Sequence, residues 1–235
     1  MTISLNGYVK AYGECVLADV VPIFDTLSQR ADEIADAEFK RLGSLPDGED
    51  CDGDMGDLAE AAQDKGQVFY DTMIAIRQTT LNLFAAGLFH LLEQQLADLC
   101  RDGAFHVPPP SDTKLKVVAT WYREYFDLDL TSLPSWPMIE QLRLISNSVK
   151  HGEGGSAAKL RALRPDLFQD PRLRTLFPDF EELLSGSPLH NPMAGEDFFL
   201  TAEAFAEFNR AAVSFISEVA GYFADHSEEH YLVGS

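Results

Sequence analysis

The chain has 235 residues, 46% of them hydrophobic, which is enough for a core and too apolar for a disordered segment. Its formal net charge of −20 disfavours general adhesion to nucleic acid or to anionic membranes. Cys15, Cys51 and Cys100 are odd in number and widely spaced, which gives no metal-site pattern and suits a reducing cytoplasm.

Strand signals are scarce and helical periodicity dominates, so the expected fold is all-α, a helical bundle in one domain over 1–235. The N-terminus lacks a charged start followed by an apolar block, and no run reaches the roughly 20 apolar residues of a membrane span. Neither a signal peptide nor a membrane segment is expected.

The first predicted helix runs from about Leu17 to Leu42, with Val20, Ile23, Phe24, Leu27, Ile34 and Phe39 on its apolar side. Pro22 falls near its start, where proline is tolerated. An acidic, glycine-rich loop follows at about 44–58. Its alternating Asp50, Asp52 and Asp54 imitate a calcium loop, but the glycine falls one place late and the twelfth position is Ala61. A solvated loop is the better reading.

A long helix from about Lys65 to Arg101 should form the centre. Its middle, "LNLFAAGLFHLLEQQL", is apolar around most of its circumference, so neighbours must cover it on several sides. His90 and Glu93 interrupt that surface three residues apart, and both need partners there. After "VPPPSD", Ser111 or Asp112 can cap a third helix to about Phe126. Ser135 caps a fourth, Pro137 sits in its first turn, and Gly152 ends it. Short helices and loops fill 156–191, and Thr201 opens a last amphipathic helix to about Ala224.

The fourth helix carries the chemistry-bearing stretch "LRLISNSVKHGEGG". At about 100° per residue, Arg143, Asn147, Lys150 and His151 form one stripe, opposite Met138, Leu142, Ile145 and Val149. The stripe combines cation, amide and imidazole, with no acid read on it before Glu153. Such groups can hold a phosphodiester and move a proton, although a solvated face would have the same geometry. The partial negative charge of the helix end suits a cationic ring, which gives His151 the part of an acid. Between Arg143 and Arg174 seven basic residues stand against three acids, and Arg161 and Arg164 of "LRALRPDLF" read as phosphate-side or partner-binding charges. His226 and His230 have an i,i+4 spacing in the terminal segment, but no metal motif surrounds them. No metal or cofactor is expected.

The stretches "LRLISNSVKHGEG" and "FAAGLFHLLEQQL" resemble the HEPN superfamily of α-helical proteins, over about residues 65–165. The resemblance implies a metal-independent endoribonuclease of a defence or toxin–antitoxin system, acting as a homodimer on RNA through the ribose 2′-hydroxyl. It implies Asn147 and His151 as the polar and histidine positions, with Glu93, and His90 beside it, in support. Ser146 stands where the family has its arginine, so Arg143 is taken as the substitute. The alternative is a non-catalytic HEPN-like module that binds a nucleotide or a partner, such as an antitoxin or regulatory protein.

Overall fold

The computed structural model describes residues 5–44, 55–101, 107–176 and 188–226, and the described residues are helices and connections without a strand. The elements in order are α1 (Leu5–Cys15), α2 (Leu27–Gly43), α3 (Met55–Arg101), α4 (Leu115–Phe126), α5 (Trp136–His151), α6 (Gly155–Leu163), α7 (Pro171–Leu176) and α8 (Ala202–Asp225). The all-α expectation holds, with the long helix at its centre. No helix among the described residues is long and apolar enough to cross a membrane. Most of the acidic loop, 45–54 with Asp50, Cys51, Asp52 and Asp54, lies outside the described residues, as does His230.

The first predicted helix is corrected most. Instead of one helix from Leu17 to Leu42, α1 comes first and runs on into a wide turn at Val16–Val20 and a tight one at Val21–Phe24. Only then does α2 begin. Pro22 explains the break, because it supplies no N–H and crowds the preceding turn. α3 also starts ten residues before the expected Lys65. Ser135 precedes α5, but its hydroxyl donates to Glu218 and does not cap the helix. Gly152 follows α5, and Thr201 Oγ1 accepts the Ala204 amide at 3.1 Å as read. Neither Ser111 nor Asp112 caps α4, which starts at Leu115 after Lys114.

At about 1.5 Å per residue, α3 is about 70 Å long. Its first half pairs mainly with α2 in an antiparallel layer, with Gly66 against the Ala31 carbonyl and Arg30 over Phe69. Its second half lies in the main core, where Leu88, Leu92 and Leu96 meet Ile139, Leu142 and Ile145 of α5 and Phe205, Phe208 and Phe215 of α8. Gly87 leaves room for Tyr12 of α1, whose hydroxyl donates to the Phe84 carbonyl at 3.1 Å. Burial pushes that phenol up to about 12.

One buried amide ties an irregular segment to this scaffold. Asn82 is fully buried in α3, and its Nδ2 donates to the carbonyls of Pro192 and Phe198, both at 2.9 Å. Its oxygen accepts from Gln78 Nε2 at 3.0 Å, and Gln78 also donates to the Leu200 carbonyl at 2.9 Å. The stretch from Leu189 to Leu200, which has little helix of its own, is thereby held along α3. Asn82→Ala should cost about 2–4 kcal/mol in denaturant unfolding, because it orphans two buried carbonyls at about 1–2 kcal/mol each. A loss no larger than that of an exposed substitution, about 0.5 kcal/mol, would contradict this role.

Candidate functional site at the end of α5

α5 is buried around most of its circumference, and the stripe read from the sequence is its narrow accessible seam. Leu144, Ser148, Ile145, Val149, Leu142, Ser146 and Ile139 are all buried. Arg143 and Asn147 are half-buried, while Lys150 and His151 are exposed. Ser146 is off the seam altogether: it is fully buried, and its Oγ has no hydrogen-bond partner among the described residues. The supporting part read for Ser146 places it inside the core, not in a cleft.

The seam also carries an acid that the sequence reading passed over. Glu140 lies one turn before Arg143 and grips its guanidinium at 2.7 and 2.6 Å. This bond, more than anything else, raises the Arg143 pKa above its ordinary value, and the charge of Glu93 adds to it. Arg143 and Glu140 belong to a depression of about 470 Å³ beside α4, bounded also by Thr120, Arg123, Thr131 and Trp136. His151 opens into a different depression, eight residues or about 12 Å further along the helix. The seam therefore does not bring Arg143 and His151 to one cleft, and Asn147 lies between them.

The expected supporting pair has a structural task. Glu93 is buried, and its Oε1 accepts the Leu115 amide at 2.8 Å, so it caps the start of α4 from α3. Its other oxygen meets His90 Nδ1 at 3.0 Å, and His90 itself faces solvent. The expected phosphate-side arginines are occupied too. Arg161 lies against Glu153 at 3.1 and 2.8 Å and over the Phe168 ring. Arg164 is held by Asp166 at 2.9 and 2.8 Å, and Arg172 by Asp170. The local basic excess is thus cancelled wherever an arginine contributes a described side chain. Lys150 and Lys159 remain exposed, with no carboxylate at ion-pair distance among the described residues.

What the end of α5 does assemble is a second histidine. An open depression of about 710 Å³ is lined by Lys150, His151, Glu153, His190, Asn191 and Met193. Three features hold its far wall. Glu153 and Leu189 exchange contacts, with the Leu189 amide donating to the Glu153 carboxylate at 2.9 Å and the Glu153 amide to the Leu189 carbonyl at 3.0 Å. The amides of His190 and Asn191 both donate to Asp197 Oδ2 at 2.8 Å. Gly152 takes φ +68°, and a Cβ there would stand 2.9 Å from the Leu189 carbonyl, so the close approach requires glycine. Neither imidazole is hydrogen-bonded among the described residues. Sequence reasoning missed His190, because "LHNPM" has turn chemistry but no period that would place it beside α5.

Among the described residues no group of three or more His, Cys, Asp or Glu side chains could hold a metal ion. His226 instead stacks on Tyr222 and contacts its carbonyl at 2.8 Å. Compared with known protein families, curated proteins and solved structures, the chain matches none, so the HEPN resemblance rests on the residues quoted for it.

The Glu153 carboxyl is held down to about 2, first by Arg161 and then by the Leu189 amide. Its depressed value means that its contacts stabilise the fold fully above the ordinary carboxylate range and are lost as pH falls toward about 2. Glu153→Gln should therefore lower the melting temperature at neutral pH, and the gap from wild type should narrow steadily as pH falls below about 4.5. A gap independent of pH would show that the charge of Glu153 does not hold the loop.

Proposed function

We propose that this chain is a metal-independent endoribonuclease whose chemistry sits in the cleft at the end of α5. The observation that carries the reading is the meeting of His151, His190 and Lys150 in one open depression, where no described residue hydrogen-bonds either ring or the ammonium and His190 lies close enough to Glu153 to interact with its charge. Cleavage through the ribose 2′-hydroxyl needs a group to take its proton, a group to protonate the departing 5′-oxygen, and a cation for the phosphate. His190 takes the proton as the 2′-oxygen bonds to phosphorus. His151, at the negative end of the α5 dipole, gives its proton as the bond from phosphorus to the 5′-oxygen breaks. Lys150 offsets the charge on the non-bridging oxygens, and Asn191 in the cleft wall orients the phosphate by hydrogen bonds. The products are a 2′,3′-cyclic phosphate and a 5′-hydroxyl. Homodimer formation, and a place in a defence or toxin–antitoxin system in the cytoplasm, belong to the same proposal through the resemblance alone.

A second reading is favoured by different observations. The Glu140–Arg143 pair, the burial of Ser146 where the family has arginine, and the net charge of −20 all suit a non-catalytic helical module. Such a module would bind a nucleotide or a regulatory protein at the same cleft.

The test is incubation of the purified chain with end-labelled single-stranded RNA in EDTA, followed by analysis of the new ends. Cyclic phosphate ends are expected, and His151→Ala and His190→Ala should each slow their appearance about 10²–10⁴-fold. Both side chains are exposed, so the circular dichroism spectrum should not change. If wild type cleaves nothing, or both variants cleave as fast as wild type, the nuclease reading fails and the binding module takes its place.

A further inference from the structure

A second cavity, of about 420 Å³, lies on another face of the molecule, between α3, the start of α7 and the stretch from Gly195 to Phe199. It is walled by apolar and charged groups in separate places. Tyr70, Ile74 and Phe199 are half-buried and give it an apolar side. Asp71 and Glu196 are exposed at its border. Two arginines enter it, in opposite conditions. Arg172 is satisfied, because Asp170 holds both its Nε and its Nη2. Arg77 is half-buried, its Nε is shielded from solvent, and no group among the described residues accepts a hydrogen bond from it.

That contrast is informative, because Arg143, Arg161, Arg164 and Arg172 are each placed against a carboxylate of the chain. The Arg77 Nε is sealed from solvent, but its terminal nitrogens are not, and with no carboxylate of the described residues against them they can take an acceptor from outside. The planar fork of arginine fits a carboxylate best. The backbone that shapes the cavity is fixed as well. Gly195 has φ +75° and packs so closely on α3 that a Cβ would lie 2.5 Å from the Ala75 carbonyl. Neighbouring Gln78 is tied to the Leu200 carbonyl.

We propose that this cavity binds a free α-amino acid with an apolar side chain. Arg77 receives the carboxylate, Asp71 or Glu196 the ammonium, and the Tyr70–Ile74–Phe199 wall the side chain. The proposal is independent of the cleft at the end of α5, and its test does not read RNA cleavage.

The test is calorimetric titration of the full chain with three probes of one skeleton: L-phenylalanine, 3-phenylpropionate and phenethylamine. L-Phenylalanine should bind saturably, and removal of either charged group should weaken binding by about tenfold or more, the value of one charge-assisted hydrogen bond. Arg77→Gln should abolish the L-phenylalanine signal while leaving the circular dichroism spectrum and melting curve in place, and Arg77→Lys should restore it only in part. The proposal is overturned if no probe saturates in the millimolar range, which would mean that Arg77 faces only water. It is also overturned if phenethylamine binds as tightly as L-phenylalanine, or if Arg77→Gln binds like wild type.

Discussion

The arrangement depends on one buried amide. Asn82 is fully buried in α3 beside Leu81, Ala85 and Ala86, and an amide there survives only if its hydrogen bonds are made. Both of its N–H groups are given to carbonyls of the 192–198 stretch, and its oxygen to Gln78. That stretch has scant secondary structure and prolines at 188 and 192, and it is held otherwise by Asp197, Glu153 and the bond from the Phe199 amide to the Leu167 carbonyl at 2.8 Å. It nevertheless forms a wall of each cleft. His190 and Asn191 enter the one at the end of α5, and Gly195, Glu196 and Phe199 enter the one beside α7. A single side chain in the core therefore supports two surfaces that share no lining residue.

The charges follow a second rule, which concerns arginine and lysine separately. Arg143, Arg164 and Arg172 each meet a carboxylate two or three residues away, and Arg161 meets Glu153 eight residues away, all with the two-pronged geometry that the guanidinium favours. These pairs are partly exposed and add little stability individually. Their effect on the surface potential is larger, because they remove most of the apparent basic patch from a chain of net charge −20. Positive potential is left where lysines stand alone, at Lys150 and Lys159 near the end of α5.

What could be read from the sequence divides along the same line. α5 and α8 were legible because their signals are local: Ser135 with Pro137, Gly152, and Thr201 three residues before the amide it caps. The seam of α5 followed from helical arithmetic, and the same arithmetic places Glu140 on it, so that acid was legible and overlooked. α1 was not legible, since "LNGYVKAYGEC" is short and carries two glycines, and its helix is secured by packing on α8, with Gly13 against Asn209. The unpartnered state of Arg77 and the position of His190 depend on contacts distant in sequence, and so does the capping by Glu93 of a helix that starts at Leu115. Asn82 left a trace, as a lone amide in an apolar helix, but its partners could not be named from it.

The layer formed by α2 and the first half of α3 differs in substance from the rest. Its seam is made of Leu27, Ala31, Ala35, Ala62 and Gly66, all of which stand outside the aromatic and leucine-rich core cluster. Small side chains let the two backbones come close, yet they withdraw little apolar area from water. Cooperativity is therefore unequal along α3, although the helix is continuous. Its first half can part from α2 and fray as a subglobal unit while the second half stays locked among the phenylalanines of α8. Backbone amides should exchange with solvent in that order, in two tiers along one unbroken helix.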